Sequence, residues 1–205
     1  MNPLNSVRGA IISGIVLAVL FLLLIPLTLP AAGGHRPSEL GIAIWLHILS
    51  GVMWIGLLYY FNVVQIPGMA AAAADAGGPG GAGVTRYIAP RALAWFRWAA
   101  VATWFTGMWY LGRAGNFMNA LTLGHGGREY YGLIIGTGAW LGTIMLFNVW
   151  AVIWPNQKKV LGLVTATDEE KARARRVATL ASRANFALSI PMLLCMGASN
   201  HSLPF

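Results

Sequence analysis

Residues 45–67 read "WLHILSGVMWIGLLYYFNVVQIP", an apolar stretch with one histidine and no charged side chain. About 20 such residues are enough to cross the hydrocarbon core of a bilayer as a helix. A related stretch, "WLGTIMLFNVW", occupies residues 140–150. The two stretches predict an all-α integral membrane protein that uses one apolar pattern twice.

The composition supports the membrane class. The chain is 57% hydrophobic and 10% charged, whereas a soluble domain carries about 25% charged residues. The net charge of +8 is typical of basic loops on the cytoplasmic side of a membrane, so we expect a lipid bilayer and no nucleic acid as partner. Cys195 is the single cysteine. An internal disulfide is therefore excluded, and there is no CxxCH motif for covalent haem attachment.

Hydropathy predicts five transmembrane helices. The first apolar run is long for a signal peptide, so we interpret it as an uncleaved helix. The expected spans are 10–31, 41–66, 91–112, 130–154 and 178–200.

The basic residues predict the orientation. If the N-terminus lies in the cytoplasm, all but three of the 14 Lys and Arg residues fall on the inner side. The exceptions are Arg36, Arg113 and Arg128. The positive-inside rule then places the protein in the bacterial inner membrane, with a cytoplasmic N-terminus and a periplasmic C-terminus.

Two loops differ in kind. Residues 70–83, "AAAAADAGGPGGAG", are of low complexity and we expect them to be flexible. Residues 167–176 instead predict a helix, because Thr167 and Glu170 have the spacing of a capping box. We expect this helix to continue into the fifth span, with a bend at Pro191.

The two apolar stretches indicate an internal duplication. The pattern W-x-G, four residues, F-N-V starts at Trp54 and again at Trp140, an offset of 86 residues. The same offset carries Arg97 onto Arg183. We therefore expect two parallel repeats.

The repeats define the expected architecture. Residues 1–205 are interpreted as a single membrane domain, with repeat one at 41–112 and repeat two at 130–200. The repeats together predict a duplicated (2+2) four-helix bundle. The N-terminal helix at 10–31 lies outside that symmetry.

Four polar residues recur within the repeats. Asn62, Arg97, Asn148 and Arg183 all fall near the inner side of their spans. Two interpretations stay open for this polar cluster. The four residues could hydrogen-bond between helices and fix their register, or form an anion site for a haem propionate, a quinone or a substrate.

The histidines are not repeated. His47 lies inside the second span, on one helical stripe with Gly51 and Trp54, and His201 ends the fifth span. Two histidines from different helices can ligate a b-type haem, and Gly51 leaves room for a flat porphyrin. His125 is a substitute metal ligand. In the alternative interpretation, His47 only hydrogen-bonds a neighbouring carbonyl.

Four segments resemble a known family: "WLHILSGVMWIGLLYYFNVVQIP", "WFRWAAVATWFTG", "WLGTIMLFNVWAVIWPNQKK" and "SRANFALSIPMLL". They are similar to the N-terminal membrane domain of bacterial membrane-bound, cytochrome-c-linked urate oxidase, over about residues 41–201. More remotely, the bundle resembles copper-resistance D-type membrane proteins and HemJ-type protoporphyrinogen oxidases. The resemblance implies a redox membrane module in which His47 is the residue to carry over. In that family a cytochrome c domain follows, so here electrons would need a separate acceptor.

Three functions follow as hypotheses. The first is a membrane redox module that binds haem b near the outer face and passes electrons to a cytochrome c or a larger respiratory-type membrane complex. The second is a membrane-bound oxidase of a small molecule such as urate, which uses a separate cytochrome c. The third is a non-catalytic structural subunit of a larger membrane complex. Whether the protein is an enzyme stays open.

Overall fold

A computed structural model describes residues 2–28, 38–125, 127 and 129–201, and the side chains among them except those of 25–28, 200 and 201. All the regular structure in these ranges is helical. The chain divides into two compact units, 1–42 and 43–205, and each is described by itself.

The first unit contains one long apolar helix, α1 (Val7–Thr28), preceded by a 3₁₀ turn at Pro3–Asn5. Asn2 caps that turn, since its Oδ1 accepts a hydrogen bond from Leu4 N at 2.9 Å. None of the residues 7–24 is buried, as expected of a helix that faces lipid. The predicted first helix is confirmed, although its expected end at 29–31 lies outside the described residues.

The second unit is built from long helices that share one hydrophobic core. α2, which begins in the first unit, spans Glu39–Ala74, and α3 spans Ala89–Arg113. The short α4 covers Phe117–Leu121 and was not predicted. α5 runs over Glu129–Val160 and α6 over Asp168–His201.

The core is formed by one face of each long helix of this unit. Phe61 of α2 meets Phe96 of α3 edge-to-face, with ring centroids 5.4 Å apart. Met145 of α5 is fully buried, and Met192 of α6 is 5% exposed. The other buried members are Trp54, Leu58, Leu93, Ala99, Ala100, Val149, Ile153 and Ala181.

Three widened, π-helical turns occur in the described residues. They lie at Tyr60–Gln65 in α2, Val84–Ile88 directly before α3 and Asn148–Ile153 in α5, and each is followed by a hydrogen bond from an N–H to the carbonyl five residues earlier. Pro67, Pro90 and Pro155 each come two residues after the end of a turn. A proline ring clashes with the carbonyl four residues before it, and a π turn at that point lets the helix continue past the ring.

Four helices are long and apolar enough to cross a membrane, compared with the five expected. Within the described residues they lie in Val7–Leu24, Glu39–Ala74, Glu129–Val160 and Asp168–Ser199. The expected third span, 91–112, is a helix of 25 residues but is not one of them. The helix Ala89–Arg113 contains three arginines, four tryptophans and one tyrosine, which lower its mean hydropathy.

The loops partly follow the expectations. α2 continues to Ala74, so the first part of the 70–83 segment is helical rather than flexible. The capping box is confirmed: Glu170 N donates to Thr167 Oγ1 at 3.2 Å, and Thr167 N donates to Glu170 Oε2 at 2.9 Å. A single 34-residue helix with Pro191 inside it is also confirmed.

We call the end of the bundle where α2 and α5 end and α3 and α6 begin the basic end. It carries Arg86, Arg91, Lys158, Lys159, Lys171, Arg173, Arg175 and Arg176. The opposite end is called the outer end.

Candidate functional site

His47 is part of the contact between α2 and α3. Its ring is half-buried, and Nδ1 lies 2.8 Å from the carbonyl oxygen of Thr103. A Cβ atom on Gly107, one turn along α3, would come within 2.9 Å of His47 Cε1. Glycine at 107 therefore gives the imidazole the space to lie against α3.

This contact determines which ring nitrogen carries the proton. A carbonyl oxygen can only accept, so Nδ1 is the protonated nitrogen of the neutral ring. The lone pair is then on Nε2. A histidine that ligates a metal commonly donates its other N–H to a backbone carbonyl in this way. The same bond also fits the alternative in which His47 only links two helices.

Gly51 and Trp54 lie further along the same stripe of α2. A Cβ atom on Gly51 would stand 3.7 Å from Thr103 Cγ2, which is ordinary van der Waals contact. Trp54 is 2% exposed and belongs to the hydrophobic core, and its Nε1 has no hydrogen-bond partner. Both residues therefore pack inside the bundle near His47.

The other two candidate metal ligands, His125 and His201, lie far from His47 in the sequence. His201 is the last residue of α6, and its side chain lies outside the described residues. His125 is exposed in the loop after α4, with Nδ1 2.8 Å from the Thr122 carbonyl oxygen. Within the described part of the chain, no three side chains of His, Cys, Asp or Glu come together in a way that could hold a metal ion.

Two members of the predicted polar cluster bind the same turn of α6. Asn62 Nδ2 donates to Ser182 Oγ at 2.9 Å. Asn148 Nδ2 donates to Asn185 Oδ1 at 2.9 Å and to the Ala181 carbonyl at 3.0 Å. The repeat-related amides of α2 and α5 thus converge on residues 181–185.

The two arginines have different surroundings. The Arg97 guanidinium carbon lies 3.3 Å from the centroid of the Trp154 ring and 5.8 Å from that of Trp150. Arg183 is exposed. It follows Ser182 directly, and one residue rotates the direction by about 100° around a helix, so Arg183 points away from the face that contacts α2 and α5. The four residues of the polar cluster therefore do not meet at one point.

Three polar residues of α6 were missed in the sequence. Ser182, Asn185 and Ser189 are all buried. Asn185 Nδ2 donates to the Met145 carbonyl at 3.0 Å, and Ser189 Oγ lies 3.2 Å from Tyr59 Oη. Their steps of three and four place them on one helical face. Polar residues at this spacing inside an apolar span were the sequence signal that could have identified these three residues.

Comparison with known proteins gives one family. The family described as "Urate oxidase N-terminal" matches residues 126–205. The matched region covers α5 and α6, which form the second expected repeat. No curated protein and no solved structure matches the chain. The match supports the family resemblance over these residues, while the membrane-bound subtype and the remote families stay predictions.

Proposed function

We propose that the protein is a membrane redox module related to the urate oxidase N-terminal domain. In this proposal His47 ligates a b-type haem near the outer end of the bundle, and electrons pass to a cytochrome c or a larger membrane complex. The observation that carries the proposal is the position of the His47 ring, whose Nδ1 is bonded to Thr103 and whose Nε2 has the lone pair.

The residues near His47 fit this role. Thr103 holds the proton on Nδ1, and Gly107 leaves room for the ring. Haem, when bound, would supply reversible one-electron chemistry.

His201 is the residue that we propose would hold the haem together with His47. The hydrogen bond between Asn62 and Ser182 marks one level in α2 and α6. Counted from that level at about 1.5 Å per residue, His47 lies about 22 Å and His201 about 28 Å toward the outer end. The two backbones are thus at comparable depth, and His125 is the proposed substitute.

The proposed setting is the bacterial inner membrane, with the basic end in the cytoplasm. This follows the distribution of Lys and Arg. We propose that α3 crosses with its neighbours because Leu93, Phe96 and Ala100 belong to the shared core. The Trp154 ring that covers the Arg97 guanidinium lowers the cost of placing this arginine near the membrane.

A second candidate is oxidation of urate or a similar small molecule, with a separate cytochrome c as acceptor. The family match over residues 126–205 favours it. If His47 serves only to join α2 and α3, the protein would instead be a non-catalytic structural subunit of a larger membrane complex.

The test uses histidine variants of the full chain expressed with haem available. His47→Ala should purify folded but with about tenfold less haem per chain than the wild type, whereas His125→Ala should keep most of it. Gly107→Ala should also lower the haem content, because the added methyl group meets the imidazole. Equal haem content in the His47→Ala variant and the wild type would overturn the assignment.

A further inference from the structure

A cavity of about 430 Å³ lies at the basic end of the bundle. α2, α3 and the segment before it, α5 and α6 each line it with residues at helical spacing. On α6 these are Arg175, Ala178, Thr179 and Ser182, which follow one another at steps of three, one and three. The volume is in the range of small-molecule sites.

The inner part of the cavity is mainly apolar and well packed. Phe61 and Phe96 line it and meet edge-to-face. Both rings belong to the hydrophobic core, so they close the cavity toward the centre of the bundle. Leu93 and Ile153 add further apolar surface. A bound molecule would therefore place an apolar body against these side chains.

A buried acceptor without a partner lies in the wall. Gln65 lines the cavity, and its buried Oε1 has no hydrogen-bond partner among the residues that the structure describes. Asn62 Oδ1 is in the same state, and the amide nitrogen of Asn62 is bonded to Ser182, another wall residue. Buried polar atoms almost always have a partner. A ligand with an N–H or O–H group would supply the missing donor.

A free cation lies further out along the same wall. Arg175 is exposed, and none of the residues that the structure describes forms an ion pair with it. It is seven residues from Ser182, about 10 Å along α6. The cavity thus combines a guanidinium in its outer part, the buried acceptor of Gln65 and, nearest the core, the apolar surface of Phe61 and Phe96.

We propose that this cavity binds a small organic anion with an apolar aromatic body and an N–H or O–H donor. The anionic group pairs with Arg175, the ring system lies against Phe61 and Phe96, and the donor reaches Gln65 Oε1. This site is independent of the haem proposed near the outer end.

Three probes of similar size test each part of this chemistry. Indole-3-acetate has the ring, the carboxylate and the N–H. 1-Naphthaleneacetate lacks the N–H, and 3-methylindole lacks the carboxylate. Equilibrium dialysis against the protein in phosphatidylcholine nanodiscs should show that each of the latter two binds about tenfold more weakly than indole-3-acetate.

Two substitutions test which residue causes each of the two binding preferences. Gln65→Leu should remove the preference for indole-3-acetate over 1-naphthaleneacetate, because the acceptor is lost. Arg175→Gln should remove the preference for indole-3-acetate over 3-methylindole. Arg173→Gln, an exposed arginine on the same helix outside the cavity wall, is the matched control and should keep both preferences.

The proposal fails if the wild type binds the three probes equally, or if both variants keep the wild-type preferences. Competition by phosphatidylglycerol added to the nanodiscs would overturn the assignment to a soluble ligand, since a membrane lipid would then occupy the cavity.

Discussion

Arg97 and Arg183, which the predicted duplication aligns, have different contacts. Arg97→Gln removes the stacking of the guanidinium on Trp154 and should lower the free energy of unfolding by about 1–2 kcal/mol. Arg183→Gln changes an exposed side chain and should stay within about 0.5 kcal/mol of the wild type. Thermal unfolding in detergent compares the pair. Equal shifts in the two variants would mean that the contact with Trp154 contributes nothing to stability.

Among the polar residues, we expect substitution of Asn185 to reduce the stability of the protein the most. It is fully buried, accepts from Asn148 and donates to the Met145 carbonyl. Asn185→Ala should cost about 2–3 kcal/mol, because these partners are left unsatisfied at a fully buried position. Asn156→Ala is the control, since within the described part of the chain Asn156 bonds the Val152 carbonyl of its own helix and no other helix. A smaller loss for Asn185→Ala than for Asn156→Ala would contradict the role of Asn185 in joining α5 and α6.

At the scale of the element, the first turn of α6 depends on its capping box. Thr167→Ala removes the acceptor for Glu170 N, which typically costs about 1 kcal/mol of helix stability. Hydrogen exchange should therefore become faster over the first two turns of α6. Thr165→Ala, at an exposed position in the preceding loop, should leave it unchanged. Faster exchange in both variants would show that the loop, rather than the cap, controls this end.

The sequence predicted where the long helices occur, but not their π turns or the side-chain hydrogen bonds between them. Hydrophobic runs and the T-x-x-E box indicate where helices occur, because these signals are local. The π turns at Tyr60–Gln65 and Asn148–Ile153 were missed, since the sequence gives only the proline that follows each. The bonds of Ser182 and Asn185 depend on which helices meet, and periodicity alone does not determine that.

The duplication stays a prediction at the element scale. The first helix of each proposed repeat has a π turn before a proline, which agrees with it, but the turn at Val84–Ile88 has no counterpart in the described part of repeat two. However, Trp54 is 13 residues before Pro67, whereas Trp140 is 15 residues before Pro155. Two additional residues therefore lie in the second repeat, and Asn62 and Asn148 reach α6 through different partners.

For the whole molecule, the charge distribution predicts the topology. A periplasmically active reporter fused after Phe205 should be active, and the same reporter inserted in the 161–167 loop should be inactive, because the distribution of Lys and Arg predicts a cytoplasmic basic end. The reverse pattern would place the basic end outside. It would also move the cavity near Arg175 to the periplasmic side.

The reduced-minus-oxidised absorption spectrum of the purified wild-type protein tests the haem proposal most directly. We expect a Soret band and a sharp α band of a b-type haem, with about one haem per chain. A folded protein that shows no Soret band after expression with haem available would contradict it. His47 would then serve only to join α2 to α3 through the Thr103 carbonyl.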